Sequence, residues 1–379
     1  MKHIFAKHEL GAIESFMKFL ALKLIANWLD LLKPKKQTQE VSFKTIPAIC
    51  AFSSVLSLSI VGLTASNIQD IAVAQQKQNL SNVTLRVAKY KGGWDLLLKL
   101  AKQDNFPYKV EFKEFTAGNL IVQAINANAI DVGSGSEIPP IFGIQSNAAV
   151  KVIASNRGPT VGQTLLVPKN SKARTVADLK GKKVGYVRAT TAHYFLIKML
   201  EEVGLSFKDI NPVALTIPDG LSAFRRGDLD AWATYGYAIQ QAKKDGAREL
   251  KSAKNILSGN FLIYASPKAI ADQNQKAAIG DFLCRLKKAQ NWREANSKNL
   301  ETWSQAYAQA IGVDLKLVLD DAREGLQQRR SQIRPVSKEA IASQQRVADT
   351  FAKTGVIPSK VNVAPLWDGT FTNAINQCK

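Results

Sequence analysis

Histidine, cysteine and methionine are scarce in this 379-residue chain, with three of each. The cysteines, Cys50, Cys284 and Cys378, stand far apart, and no C-x-x-C pair or Cys/His cluster exists to hold a structural metal. A lone His193 with no partnered carboxylate and nucleophile gives no acyl-transfer constellation. No cofactor, metal or enzymatic chemistry is therefore expected. Dense basic blocks interleaved with aromatics are also missing, which argues against a nucleic-acid partner. Yet the chain carries 51 Lys and Arg against 31 Asp and Glu, a formal charge of +20. A scattered surplus of this kind suits an anionic membrane surface, or an anionic ligand drawn in by an attractive field.

The N-terminal region differs from the rest. Ile46–Leu63 (IPAICAFSSVLSLSIVGL) carries no charge, follows Lys33, Lys35, Lys36 and Lys44, and is followed by Ala72-Val73-Ala74, the A-x-A end that export peptidases favour. Two readings fit residues 1–74: a signal peptide with a long leading region, or a retained membrane anchor, since about eighteen apolar residues is the lower limit of a span. The serines and Pro47 favour cleavage. Upstream, Phe16, Phe19, Leu20, Leu24, Trp28 and Leu31 give residues 4–32 an amphipathic helical pattern. After cleavage Cys284 and Cys378 remain, either as a disulfide or as two buried thiols.

From Val83 onward strand-like and helix-like segments alternate. VTLRVAKY, KVEFKEF, AIDVGS and AVKVIASN read as strands; GWDLLLKLAKQ, GNLIVQAINAN and PPIFGIQ read as helices. This order predicts an α/β fold with mainly parallel sheets. An internal repeat divides it: AINANAIDV (124–132) and AFRRGDLDA (223–231) each end a helix on a residue that tolerates a left-handed backbone, then open a strand on Ile-Asp or Leu-Asp. Two lobes built alike follow, joined by two extended crossings at 164–171 and 261–266. Residues 82–166 plus 263–379 make lobe one and 167–262 lobe two.

Four strand-to-helix junctions are rich in small residues: Gly92-Gly93-Trp94, Ala117-Gly118-Asn119, Ser134 to Glu137 before Pro139, and Ala189 to His193. Such junctions gather at one edge of an open α/β sheet, where ligands bind. The first helical turn leaves N–H groups without partners and carries partial positive charge, so it can hold an oxyanion without a salt bridge. Thr190, Thr191 and Ser136 would add hydroxyl donors. Arg188 is a candidate charged contact, and Trp94, Trp232, Tyr235 and Tyr237 candidate walls for an organic ligand, although Trp232, on an apolar strand, reads equally as core. His193 reads more simply as a hydrogen-bonding helix residue.

At these residues the chain resembles a family. KVEFKEFTAGNLIVQAINANAIDVGSGSEIPPIFG, the second-lobe entry TLLVPKNS through NPVAL, and AFRRGDLDAW resemble the ABC-transporter solute-binding proteins for aliphatic sulfonates, taurine and nitrate. The resemblance implies a type II periplasmic binding-protein fold and a monomer that captures a small anion, most simply a sulfonate, and passes it to a permease in the inner membrane. It matches Ser136, Glu137, Thr190, Thr191, His193 and Trp232 to family motifs; with Gly92, Trp94, Gly118, Asn119, Arg188 and Tyr235 from the junction reading, these are the candidate ligand contacts. Alternative ligands on the same fold are taurine, nitrate or a thiamin-pyrimidine precursor. A pyrimidine synthase would need a close cysteine cluster that this chain lacks. The sequence departs from the family at Ala189, where glycine is common, and at Glu137-Ile138, where Asp-Thr is usual.

Overall fold

A computed structural model describes residues 80–378, so the proposed export segment lies outside it. Eleven strands among these residues form two sheets: β1 (Thr84–Lys89), β2 (Lys109–Glu114), β3 (Val132–Ser136), β4 (Lys151–Arg157), β5 (Gln163–Val167), β6 (Lys183–Tyr186), β7 (Asn211–Ala214), β8 (Ala231–Tyr235), β9 (Arg248–Ser252), β10 (Asn260–Ala265) and β11 (Gln332–Arg334). The first sheet runs β11-β4-β10-β3-β1-β2 and the second β7-β6-β8-β5-β9. β1 is parallel to β2 and β3, and β6 to β7 and β8, as the βα alternation requires. Both faces of the first sheet are covered. Along β10, Ile263 and Ala265 face one apolar layer while Leu262 and Tyr264 face the other, the two-residue period of a strand.

The repeat is a real structural device, present once in each lobe. Asn128 and Gly227 close their helices with φ of 54° and 80°. Beyond the first, the Asp131 N–H donates to the Arg86 carbonyl at 2.9 Å, and its carboxylate accepts the Arg86 N–H at 2.8 Å. Asp230 does the same with Lys183, at 2.9 and 2.8 Å. Each aspartate thereby pins the opening of a strand to the parallel strand beside it, which satisfies backbone groups that the ladder has not yet reached.

Two expectations need correction. The segments expected as extended crossings are strands inside the sheets: β5 pairs antiparallel with β8 and β9, and β10 with β3 and β4. The chain changes sheet at 158–162 and again at 253–259. β5 therefore belongs with lobe two and the whole of β10 with lobe one, which moves the expected divisions at 166 and 263. A short, fully buried apolar run such as Leu165-Leu166-Val167 reads as extended in either setting, because local pattern does not specify which sheet a strand joins.

The C-terminal third is helical, as expected, apart from the three-residue β11. Cys284 and Cys378 form a disulfide that ties the last helix, Thr372–Gln377, to the helix Gln273–Ala295. Lys287 reinforces that tie by donating to the carbonyls of Ile375 and Cys378. No helix among the described residues is long and apolar enough to cross a membrane.

Candidate functional site

Two cavities, of about 640 and 310 Å³, share Tyr90, Lys91, Ser136, Gln163, Thr191, Phe261 and Tyr307 as walls and together make one cleft between the sheets. All four small-residue junctions reach it. Gly92 to Trp94 line the larger part, Gly118 and Pro139 the smaller, and Ser136 and Thr191 both. A further helix, Tyr237–Lys244, opens there too, with Gly236 and Tyr237 on the wall.

How these helices begin separates a binding cleft from ordinary capping. The helices Asp272 caps, and likewise Asn296, Asp314, Ser337 and Thr216, have a side-chain oxygen accepting a first-turn N–H. The helices Trp94–Leu100, Gly118–Asn126, Thr191–Glu201 and Tyr237–Lys244 have no such bond at Gly93, Ala117, Thr190 and Gly236. Two short helices away from the cleft, Pro267–Ala271 and Thr372–Gln377, also lack one. Every described helix of eight or more residues that lacks a side-chain cap opens on the cleft. Apart from the proline start at Pro139, which also has no side-chain cap, two uncapped starts come from each lobe, so the partial positive charge of helix ends lies at the space from both sides.

The fourth expected junction behaves differently. Pro139 and Pro140 occupy the first two positions of their helix and have no N–H to give, so this turn is a wall and not an anion cup. The threonine hydroxyls also depart from expectation. Thr190 Oγ1 donates to the Val187 carbonyl at 2.7 Å, and Thr191 Oγ1 donates to Gln163 Oε1. Their hydrogens are spent within the protein, which leaves the backbone amides of this turn as the donors. Ala189 keeps a left-handed φ of 60°, the conformation that glycine adopts without strain.

Close packing sets the cleft walls. At Gly92, φ is 65° and a Cβ would lie 2.6 Å from the Tyr307 ring, so only glycine lets that aromatic sit against the turn. Gly118 likewise lies where a Cβ would be 3.0 Å from Pro139 and 3.3 Å from the Tyr90 hydroxyl. Glu137 is 6% exposed and accepts from Ser258 Oγ at 2.6 Å and Asn260 Nδ2 at 3.0 Å. Burial raises its pKa, against the lowering effect of those hydrogen bonds and of Arg346. Its bonds run to the second passage between the sheets, so Glu137 anchors that passage to the cleft floor.

Of the sequence candidates, Gly92, Trp94, Gly118, Ser136, Glu137, Thr190, Thr191 and Tyr235 line the cleft. Four do not. Trp232 is fully buried in the lobe-two core, its ring lying where a Cβ on Gly220 would collide with it. His193 is 4% exposed and packs among Tyr186, Phe207 and Phe351. Arg188 is exposed and Asn119 half-buried, both off the walls. Tyr90, Lys91, Gln163, Phe261, Tyr307 and Arg346 line the cleft without having been singled out. Tyr307 reaches it from a helix some two hundred residues further along the chain, a juxtaposition that no local pattern signals.

Comparison with known proteins bears on the family. Residues 108–293 match the family model described as NMT1/THI5 like. An Escherichia coli (strain K12) protein named as an aliphatic sulfonates-binding protein is 30% identical over 327 residues, covering 84% of this chain and 97% of that one. The chain belongs to the aliphatic-sulfonate-binding protein family. Members of known structure superpose on it. The alkanesulfonate-binding protein SsuA from Xanthomonas axonopodis pv. citri, bound to MOPS, gives a TM-score of 0.69 at 27% identity, over 76% of this chain and 99% of that chain. The periplasmic SsuA of Escherichia coli gives 0.64 at 29%, over 75% and 91%. The desulfurization enzyme DSZB, at 15% identity and a TM-score of 0.56, shares the fold alone.

Proposed function

We propose that this protein is the extracytoplasmic solute-binding component of an ABC importer, and that it captures a small organic anion, an aliphatic sulfonate, between its lobes. One observation carries the reading: four helix starts that have first-position N–H groups and no side-chain cap, two from each lobe, converge on one cleft. A sulfonate has three oxygens to accept these N–H groups and needs no countercharge buried with it. The relatives in the family are binding proteins, and both described cysteines sit in the remote disulfide, so binding and release, not catalysis, is the activity.

Both lobes also touch outside the ligand space. Gln241 of lobe two donates to the Ile311 carbonyl at 3.0 Å, Lys243 lies 3.6 Å from Asp321, and His193 packs on Phe351 of lobe one. A ligand that touches both lobes adds to the stability of this arrangement, and the permease then reads the closed form. The protein works as a monomer in the periplasm, exported through residues 1–74, with an inner-membrane permease as its partner. A thermal-shift screen of the purified protein against linear sulfonates, taurine, nitrate, sulfate and pyrimidines tests the ligand. A sulfonate at a hundred times its Kd adds about 2.7 kcal/mol of stability. A midpoint moved only by pyrimidines refutes the sulfonate reading.

A further inference from the structure

The helix Leu315–Gln328 belongs to lobe one, yet one of its faces is turned on lobe two and on the two passages that join the lobes. The residues concerned, Val318, Asp321, Gly325 and Gln328, recur every three or four positions, which puts them in one stripe. At the C-terminal end Gln328 holds the first passage. Its Oε1 accepts the Thr160 N–H at 2.8 Å, and its amide nitrogen donates to Thr160 Oγ1 at 3.0 Å. Arg329 follows and donates to the Gly158 carbonyl of the first passage at 3.3 Å and to the Ser258 carbonyl of the second at 2.9 Å. The passages are themselves joined, the Gly158 N–H donating to the Gly259 carbonyl at 2.9 Å. At Gly325 a Cβ would lie 3.2 Å from the Pro159 ring, so the helix backbone packs directly on the first passage. This end of the helix is anchored at the pivot.

Further from the pivot the same stripe meets lobe two. Val318 is part of a small apolar cluster on which Tyr237 packs. Asp321 accepts a hydrogen bond from Gln240 Nε2 and lies 3.6 Å from the Lys243 ammonium. Both partners sit on the helix Tyr237–Lys244, whose uncapped start at Gly236 opens on the cleft. Asp321, Gln240 and Lys243 themselves stand off the cleft walls. Gln240 is buried, and its Oε1 has no partner among the described residues, so Asp321 is what holds the amide in place. Asp321 and Lys243 are partly buried, a setting in which a charge-assisted tie counts for more than on an open surface.

We propose that Asp321 is a positioning residue for ligand binding: through Gln240 and Lys243 it ties the helix Tyr237–Lys244 of lobe two to a brace anchored at the pivot, and thereby sets the fraction of the protein in the closed, binding-competent arrangement. The inference rests on the two-lobe capture reading and adds to it a determinant outside the ligand site. Opening the lobes breaks the tie, because Asp321 and its two partners belong to different lobes. A ligand that bridges the lobes binds with an affinity scaled by the closed fraction, so loss of the tie weakens binding with every ligand contact intact.

Charge exchange tests it. Asp321→Lys and Lys243→Glu each place like charges across the boundary, and the double variant restores an opposite pair. Two quantities are measured on the purified protein: the radius of gyration of the ligand-free form by small-angle X-ray scattering, and the Kd for ethanesulfonate by isothermal titration. Each single variant expands the ligand-free protein and raises Kd about three- to tenfold, and the double variant returns both toward the wild type. That recovery is what a residue needed only for the folding of lobe one would not give. If Asp321→Lys does not fold, Asp321→Ala takes its place in a double-mutant cycle with Lys243→Ala, where the two losses of affinity are non-additive. Wild-type compactness and affinity in the single variants, or losses that simply add in the double variant, overturn the proposal. If no sulfonate binds the wild type, the sulfonate reading fails, and the scattering of the ligand-free variants still decides the role of Asp321.

Discussion

If the first-turn amides are kept for the ligand, giving one of these helices its own cap should strengthen the empty protein and weaken the complex. Ala117 is the place to do it. It sits at the N-cap of Gly118–Asn126 with φ −155° and ψ 150°, the extended geometry in which a capping side chain reaches back to the second or third N–H. Ala117→Asp supplies that acceptor. The cap contributes about 1 kcal/mol, and its charge at the positive helix end a further few tenths. For a protein of this size, that raises the melting midpoint of the ligand-free form by about 2–3 °C. The sulfonate, in turn, loses a charge-assisted hydrogen bond worth about 1.5–3 kcal/mol, a ten- to hundredfold rise in Kd. Ala117→Ser caps without charge and should give the same directions with smaller effects. Scanning calorimetry of the empty protein and titration with ethanesulfonate read the two quantities separately. A variant that gains stability and still binds sulfonate like the wild type would refute the reasoning, because the amides would then have been ordinary orphan groups.

Three other outcomes follow from buried groups. Desolvation first, and the charge of Arg188 second, depress the His193 pKa from 6.5 to about 4. A base with a depressed folded value contributes stability above its unfolded pKa and loses it as the pH falls toward the folded one, so stability drops by about 2 kcal/mol between pH 7 and pH 5. His193→Phe keeps the ring contacts and should abolish that drop; an unaltered acid profile in urea melts contradicts it. Glu137 has the opposite sign: its folded pKa is raised above 4.5, so its contribution is full below that value and fades as the pH rises through the elevated one. Glu137→Gln should flatten that decline in melts from pH 4 to 8, and an unchanged slope would show that the carboxylate is not the source. Replacing Cys284 and Cys378 by serine frees a 94-residue loop and should cost about 2–4 kcal/mol, seen as a lower midpoint in urea; equal midpoints would count against the disulfide.

Much of the framework was readable from local chemistry. Pro139–Gln145 matches its expected helix, and the left-handed ends at Asn128 and Gly227 were legible because few residues tolerate that backbone. The two aspartates of the repeat were visible as a pattern; their shared hydrogen-bonding role became apparent only with the neighbouring strands in place. What failed was non-local. Neither the sheet membership of β5 and β10 nor the strand Arg248–Ser252, whose polar composition resembles a loop, is written in a short window. For Trp232 the sequence allows both a ligand wall and a core position on an apolar strand, and the core position holds because β8 is an inner strand covered on both faces. The threonine hydroxyls failed for another reason. A donor visible in sequence is available only if the fold leaves it unspent, and the Val187 carbonyl and Gln163 had already engaged both.

The most direct measurement is a crystal structure of the protein with ethanesulfonate. Sulfonate oxygens are expected about 2.8–3.1 Å from first-turn amide nitrogens of both lobes, among them those of the Gly118 and Thr191 turns. A sulfonate held instead by Lys91 or Arg346 side chains, with those amides facing only water, would contradict it.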